Sequence, residues 1–152
     1  KELGFSRVGP IGAGHFVKMI HNGVEYGLMQ AYAEGFELME AKKEFGLNLG
    51  EIAETWRYGS VVRSWLLDLL VASLDDDPDL ASIRGYADDS GEGRWTVEAG
   101  IENAVATPAI TAALYARFVS RQDDSPAMKA VAAKMMAPPI QVYSPGTSAK
   151  AR

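Results

Sequence analysis

The longest regular pattern in the chain is a helical repeat of apolar residues between positions 14 and 43, a stretch without proline. The apolar positions recur mostly at steps of three and four: Phe16, Met19, Ile20, Val24, Leu28, Met29, Tyr32, Phe36 and Met39. This spacing predicts one amphipathic α-helix of about eight turns. Gly23, Gly27 and Gly35 each cost such a helix about 1 kcal/mol relative to alanine. Several glycines together indicate that a neighbouring backbone or a ligand approaches this helix closely.

Shorter helical segments account for most of the remaining chain, so the predicted fold class is all-α, a multi-helix domain built around the long first helix. Asn48 is the predicted N-cap of a helix at 49–57, and Ser60 that of a helix at 61–74. In the second of these, the side chains expected to point inward are Val62, Trp65, Leu66, Leu69 and Leu70. Further helices are predicted at 80–86, 95–105, 109–121 after Pro108, and 126–136. Apolar and polar residues alternate over no more than a few positions, so no strand is predicted.

The chain of 152 residues divides by composition into a helical domain at 1–136 and a tail rich in serine, proline and glycine at 137–152. The most apolar run, at 65–74, is short and carries Asp68, whereas a membrane span needs about 20 apolar residues. The sequence starts at Lys1, without an initiator methionine. We expect the chain to begin inside a larger protein, and we expect no membrane partner.

Composition narrows the chemistry that the chain can carry. Fifteen basic and twenty acidic residues give a net charge of −5, which argues against a nucleic-acid partner or an anionic membrane surface. The sequence has no cysteine and two histidines. This excludes disulfides, thiolate nucleophiles and sulfur-ligated zinc and leaves little room for another metal site, so we expect no metal ion. The absence of cysteine also agrees with a cytoplasmic location, which is the one we expect.

Four polar residues near the start of the long helix could form a functional surface. Lys18, His21, Asn22 and Glu25 stand at i, i+3, i+4 and i+7, so they share one helix face, which we term the polar stripe. Tyr26 flanks it. An amine, an imidazole, a carboxamide, a carboxylate and a phenol together could bind and transform a polar substrate. The spacing alone favours a simpler interpretation, a solvated helix face with incidental ion pairs.

Two further groups of residues have both a functional and an ordinary interpretation. The loop at 88–94 places Glu92 and Arg94 at a helix start, where backbone N–H groups attract anions, but a common loop and cap has the same composition. Arg117 and Arg121 stand one helical turn apart and could grip a phosphate together. They are equally typical of a helix C-terminus, where cations are favoured. Spacing alone favours the ordinary interpretation of both groups.

The segment GHFVKMIHNGVEYG at 14–27 closely resembles the signature of the decarboxylating 6-phosphogluconate dehydrogenases. GRWT at 93–96 and ARF at 116–118 resemble two further blocks of that family in the expected order, and the likeness runs from about position 8 to 121. The segment DDSGEG at 88–93 is similar to the corresponding segment in the shorter bacterial branch of the family. The resemblance implies the C-terminal helical domain of such an enzyme, whose N-terminal nucleotide-binding domain is missing from this chain.

The resemblance also implies a reaction and a role for each candidate residue. The reaction is oxidation of 6-phosphogluconate at C3 with hydride transfer to NADP or NAD, followed by loss of CO2 to give ribulose 5-phosphate. By this resemblance, Lys18 is the general base and Glu25 the general acid. The substrate contacts are His21, Asn22 and Tyr26, and the phosphate contact is Arg117. The resemblance implies that the cofactor is bound mainly by the missing domain, that the enzyme is a homodimer or homotetramer, and that the isolated chain is inactive.

The chain departs from the longer members of the family at two places. Ser90 and Glu92 stand where those members place a lysine and a threonine for the phosphate, so we expect Glu92 to point elsewhere or to bind sugar hydroxyls. The arginine and histidine of the family's tail are not recognisable after position 134. Two alternatives remain open: a related β-hydroxyacid dehydrogenase domain, against which His21, Glu25 and Arg117 argue, and a helical oligomerisation module without activity of its own.

Overall fold

The computed structural model describes residues 3–136, and the predicted tail at 137–152 lies outside them. The described residues contain α-helices, one short 3-10 turn and no strand, which confirms the all-α class. The helices are α1 (Ala13–Ala41), α2 (Leu49–Gly59), α3 (Trp65–Asp76), α4 (Glu92–Glu102), α5 (Pro108–Ser120) and α6 (Pro126–Met136). None of these helices combines the length and the apolar composition that a membrane crossing requires.

The backbone forms two units. The first, Lys1–Arg121, contains α1 to α5, and the second, Gln122–Arg152, contains α6. The boundary between a helical domain and a tail after position 136 stays a prediction. Pro126 opens α6 and Pro108 opens α5, as expected for a residue with a fixed φ and no N–H to leave unpaired in a first helical turn.

The 29-residue helix α1 organises the first unit because it contributes to both apolar clusters. Near its C-terminal end, Phe36 packs with residues of α2 and α3: Ala53, Leu67, Val71 and Leu74. Nearer its N-terminal end, Tyr26 packs with Ala113 and Leu114 of α5. The second cluster lies directly beside the polar stripe, because Tyr26 follows Glu25. The pairing of α1 with α4 and α5 therefore decides what surrounds that stripe.

The helix α2 follows the prediction, whereas α3 begins four residues later than predicted. The Asn48 side chain accepts a hydrogen bond from the Glu51 N–H at 3.1 Å, which confirms the predicted cap. The cap of α3 is Ser64 and not Ser60, because the Ser64 hydroxyl accepts from the Leu67 N–H at 3.1 Å. The Tyr32 hydroxyl on α1 contacts the Ser64 hydroxyl at 2.9 Å, so a distant residue supports this start.

The later start of α3 changes which of its side chains are inside. The buried residues are Leu67, Val71 and Leu74, while Leu66 and Leu70 are half-buried. The prediction that Val62, Trp65 and Leu69 point inward is wrong: all three are exposed, and 79% of Trp65 is accessible. The buried positions follow one another at steps of four and three, so α3 keeps a helical period but turns a different face to Phe36.

Two other helix predictions need correction. Residues 80–86 form turns, because the Asp77 carboxylate accepts from the Ser82 N–H at 2.8 Å and from its hydroxyl at 2.6 Å. Such local side-chain bonds compete with the helical backbone pattern. The helix predicted at 95–105 is α4, which begins three residues earlier and ends at Glu102. Its N-cap is Gly91 with φ +101°, a conformation that suits glycine.

Candidate active site

The contact between α1 and α4 is close enough to require glycine on α1. A Cβ atom at Gly23 would lie 2.6 Å from Cγ2 of Thr96. Thr96 is 2% exposed, and its hydroxyl lies 2.9 Å from the Met19 carbonyl oxygen of α1. The predicted close approach is therefore confirmed at Gly23. At Gly27 and Gly35 a Cβ atom would meet nothing within 4 Å among the described residues.

A second close contact places the start of α4 beside the end of the polar stripe. A Cβ atom at Gly93 would lie 2.4 Å from the ring of Tyr26, which is itself buried. The Tyr26 hydroxyl accepts a hydrogen bond from the Ser90 N–H at 3.0 Å and lies 3.3 Å from the Ser90 hydroxyl. Tyr26 therefore connects α1 both to α4 and to the loop that precedes it.

The four side chains of the polar stripe form a chain of contacts from Lys18 through Asn22 and His21 to Glu25. The Lys18 ammonium donates a hydrogen bond to Oδ1 of Asn22. Nδ1 of His21 lies 3.2 Å from that same oxygen and 3.4 Å from Oε2 of Glu25. The His21 and Glu25 side chains are 63% and 37% exposed, and Lys18 is exposed as well. The structure thus brings the predicted residues into one accessible row of donors and acceptors.

Arg117 of α5 lies against the ring of Tyr26, the residue next to Glu25. Its guanidinium carbon lies 3.8 Å from the centroid of that ring, a cation–π contact. Nη1 of Arg117 donates to the Asp88 carbonyl oxygen at 2.5 Å, and Nη2 lies 3.9 Å from Sδ of Met29. A guanidinium has five N–H donors, so these contacts leave donors that can bind an anion.

Arg121 has a different role from the joint phosphate grip considered from the spacing. Its Nη1 donates to Asp89 at 2.7 Å, and Arg94 donates to the same carboxylate through Nε at 2.5 Å and Nη2 at 3.0 Å. We term these three residues the Asp89 clamp. The Asp89 side chain is 4% exposed, and hydrogen bonds from Arg94 and then Arg121 hold its pKa well below the usual range. Both guanidinium groups also lie over the Phe118 ring.

The Asp89 clamp fixes the loop at 87–91 against α5. The Ala87 N–H donates to the Ser120 hydroxyl at 3.0 Å, and Arg117 binds the Asp88 carbonyl oxygen as described above. With the Ser90 contact to Tyr26, every residue from 87 to 90 is held by a side chain of α1, α4 or α5. The loop therefore enters α4 in a defined position.

Glu92, which was expected either to point away from the site or to bind sugar hydroxyls, lies near the polar stripe. It is the first residue of α4, and its Oε2 is buried without a hydrogen-bond partner among the described residues. A hydrogen bond from the Ser90 hydroxyl, the Glu92 N–H, the charge of Lys18 and the Asn22 amide together lower the pKa of Glu92. Of the two expectations for Glu92, a position away from the site does not hold.

The described residues offer little to a metal ion or a dinucleotide. Within 3–136, no three histidine, aspartate or glutamate side chains come together in a way that could hold a metal. The glycines near Gly12 are not preceded by a strand in the described part of the chain, whereas a dinucleotide site uses a strand, a glycine loop and a helix. One surface groove lies beside the C-terminal end of α1, and a second runs along α1 from Met29 to Glu40 against α2 and α3; neither is lined by a residue of the polar stripe.

Comparison with known proteins gives a consistent result over most of the chain. Residues 14–146 match the family described as "6-phosphogluconate dehydrogenase, C-terminal domain". The chain is 45% identical over 132 residues to YqeC of Bacillus subtilis, covering 87% of this chain and 44% of that relative. It is also 45% identical over 122 residues to the NAD(+)-dependent decarboxylating 6-phosphogluconate dehydrogenase of Haloferax volcanii, covering 80% of this chain and 40% of that protein. The chain therefore spans about two fifths of the length of these relatives.

Proposed function

Because the chain belongs to the 6-phosphogluconate dehydrogenase family, through that family's C-terminal domain, we propose that it binds 6-phosphogluconate and carries the acid–base residues of its oxidative decarboxylation. The products are ribulose 5-phosphate and CO2. One arrangement supports the proposal: the four residues of the polar stripe contact one another, and Arg117, from a distant part of the sequence, packs on Tyr26, the residue that follows Glu25.

The first step assigned to this chain is removal of a proton by Lys18. The amine takes the proton of the C3 hydroxyl while the hydrogen on C3 leaves with its electron pair, so that C3 becomes a ketone. A bound nicotinamide cofactor supplies the acceptor for that hydride. The ammonium formed at Lys18 then donates a hydrogen bond to the ketone oxygen and stabilises the negative charge that develops there as the carboxylate leaves as CO2.

The second step assigned to this chain is delivery of a proton by Glu25. Loss of CO2 leaves the bonding electrons in an enediol, and a carboxylic acid can protonate the carbon that becomes C1 of the product. Glu25 lies two turns from Lys18 on the same helix face, and His21 contacts its carboxylate at 3.4 Å. The imidazole between the two groups can hold the carboxylate in place as well as bind substrate hydroxyls.

The phosphate of the substrate is assigned to Arg117. Its guanidinium packs on the Tyr26 ring and donates to the Asp88 carbonyl oxygen, so the group is held in place while other donors remain for an anion. His21 and Asn22 are assigned to the hydroxyl and carboxylate groups between the phosphate and the reacting carbons. In this arrangement Tyr26 contributes mainly by supporting Arg117 and the loop at 87–91.

Binding of the cofactor and association of subunits involve more than the residues of the candidate active site. We assign NADP or NAD to a nucleotide-binding domain N-terminal to this chain, because the described helices do not build such a site, and the name of the Haloferax volcanii relative supports a nicotinamide. Exposed apolar side chains along α1, including Phe16, Val24 and Leu28, support a homodimer or homotetramer. A cytoplasmic location remains part of this proposal.

The proposal is tested by two substitutions in the full-length gene product. Lys18→Met should abolish reduction of the cofactor, and Glu25→Gln should lower turnover about 10²–10⁴-fold while 6-phosphogluconate still binds. Two control variants change exposed residues of the same type, Lys42→Met at the end of α1 and Glu34→Gln within it. Both should leave turnover unchanged. Cofactor absorbance and ribulose 5-phosphate are measured together. Wild-type turnover in Lys18→Met refutes the base assignment, and a wild-type protein that does not turn over 6-phosphogluconate refutes the function.

A further inference from the structure

Glu92 is an acidic residue near the polar stripe that the proposed reaction does not use. Its place is set by packing, because it begins α4 and the first turns of α4 are fixed against α1. The fixed points are the contact of Thr96 with Gly23 and that of Gly93 with Tyr26. Glu92 therefore meets the stripe as part of a rigid element and not as the end of a free loop.

The Asn22 side chain connects Glu92 with Lys18. Its Oδ1 accepts the hydrogen bond from the Lys18 ammonium. Glu92 precedes Thr96 by one helical turn, and Thr96 contacts Met19 and Gly23, the chain neighbours of Lys18 and Asn22. The Asn22 side chain is also among the groups that lower the pKa of Glu92. A carboxamide has an acceptor at one end and donors at the other. An acceptor on the far side consequently determines that the oxygen of Asn22, and not its nitrogen, faces Lys18.

The negative charge of Glu92 also favours a position of the Lys18 side chain beside it. The carboxylate is kept ionised by the Ser90 hydroxyl, its own N–H and the Lys18 charge, which lower its pKa. Its Oε2 is buried and has no hydrogen-bond partner among the described residues. A buried carboxylate oxygen without a partner is costly, so a neighbouring cation is favoured beside it. Arg94 is bound to Asp89, whereas Lys18 can move on a flexible stem.

We propose that Glu92 is a positioning residue of the candidate active site. It holds the Asn22 carboxamide with its oxygen toward Lys18 and keeps the Lys18 side chain over the polar stripe, without exchanging a proton with the substrate itself. Only the kinetic part of the test below rests on the proposed function. The structural part concerns Lys18 and needs no substrate.

The structural test measures how readily the Lys18 amine reacts. The chain is treated with a limiting amount of acetic anhydride, and acetylation at each lysine is followed by mass spectrometry in the wild type, Glu92→Gln and Glu102→Gln. Glu102→Gln removes the same charge from the exposed end of α4. Lys18 should react about two- to fivefold faster in Glu92→Gln, the factor that an exposed ion pair provides. It should react at the wild-type rate in Glu102→Gln, and Lys42 should be unchanged in all three.

An unchanged rate at Lys18 in a folded Glu92→Gln protein overturns the proposal. Glu92→Ala is a second neutral variant, and alanine favours helix formation. It should raise the rate of acetylation at Lys18 by the same factor. Glu92→Asp, which keeps the charge, should stay within about twofold of the wild type. Folding of each variant is checked by helical circular dichroism before labelling.

The kinetic test separates positioning from direct substrate contact in the full-length gene product. Glu92→Gln should lower kcat about ten- to a hundredfold and change KM by less than about threefold, since misplacing a catalytic group affects the chemical step most. An increase in KM at unchanged kcat would assign Glu92 to substrate binding and overturn the positioning role, and unchanged kcat and KM would overturn it as well. If the wild type does not turn over 6-phosphogluconate, the proposed function fails while the labelling result still decides the role of Glu92.

Discussion

Replacing Gly23 by alanine should destabilise the protein, although alanine is the better helix former. The new Cβ would lie 2.6 Å from Cγ2, 2.8 Å from Oγ1 and 2.9 Å from Cβ of Thr96, all shorter than van der Waals contact. Thr96 cannot easily turn away. It is 2% exposed, and its hydroxyl lies 2.9 Å from the Met19 carbonyl oxygen and 2.8 Å from that of Glu92. The methyl group must therefore push α4 away from α1.

The size of this effect follows from three opposing contributions. Overpacking a close contact costs about 1–3 kcal/mol. Loosening the hydrogen bonds of Thr96 adds about 0.5–1.5 kcal/mol. The higher helix propensity of alanine returns about 1 kcal/mol. We expect Gly23→Ala to lower the free energy of unfolding by about 0.5–3.5 kcal/mol.

Two other glycines of α1 provide matched controls for this prediction. A Cβ at Gly27 or Gly35 meets nothing within 4 Å among the described residues, so Gly27→Ala and Gly35→Ala should each stabilise the chain by about 1 kcal/mol. The free energies are obtained from urea unfolding followed by circular dichroism. In a Thr96→Ser background, which lacks Cγ2, part of the Gly23→Ala penalty should disappear. If Gly23→Ala stabilises the chain as much as Gly27→Ala does, the contact between α1 and α4 is not as close as described.

Two more properties can be measured on the same chain. Asp89→Asn should lower the free energy of unfolding at pH 7 by about 1–3 kcal/mol, because Arg94 and Arg121 lose a buried anionic partner. The folded-state pKa of Asp89 is depressed, so the extra stability of the wild type over Asp89→Asn is present above about pH 4 and should shrink as the pH falls further. Urea unfolding measures this stability difference. A difference that is equal at pH 7 and pH 3 would contradict the clamp. The isolated chain should also sediment as a dimer or larger species at micromolar concentration, because α1 exposes Phe16, Val24 and Leu28, and a clean monomer would count against the proposed assembly.

The sequence was sufficient where the deciding interactions are local. The apolar repeat of α1 extends over many turns, and the observed helix Ala13–Ala41 differs from the predicted range by one or two residues at each end. The polar stripe was found for the same reason, because positions i, i+3, i+4 and i+7 of a helix share a face in any tertiary environment. The Asn48 cap needs only the Glu51 N–H three residues further along.

The errors occurred where a distant residue or a competing side chain decides the structure. Ser60 and Ser64 are equally good caps by residue type, and the choice of Ser64 is supported by the Tyr32 hydroxyl of α1. The predicted helix at 80–86 is displaced by the Asp77 carboxylate, which binds the Ser82 N–H instead of leaving it to a helical turn. Neither interaction has a signature in apolar periodicity.

The sequence did not reveal the partners of Glu92 and Asp89, because these depend on contacts between distant parts of the chain. Glu92 reaches the polar stripe only because Gly23 and Gly93 let α4 approach α1. Asp89 forms its clamp only because α5 brings Arg121 next to the loop at 87–91. A glycine at each close contact was the available signal, and it could indicate that something approaches α1 without identifying the partner.

The different partners of Arg117 and Arg121, at the end of α5, support the assignment of the phosphate to Arg117. Arg121 is paired with the carboxylates of Asp89 and Asp88, so it adds little positive charge to the surface. Among the described residues, the contacts given for Arg117 are a backbone carbonyl, a thioether sulfur and the face of an aromatic ring, none of which carries a full negative charge. Glu92 lies at the Lys18 side of the same surface, where it would repel a dianion. A substrate with a phosphate at one end is therefore favoured with that end at Arg117 and its reacting carbons at Lys18, the orientation that the proposed reaction needs.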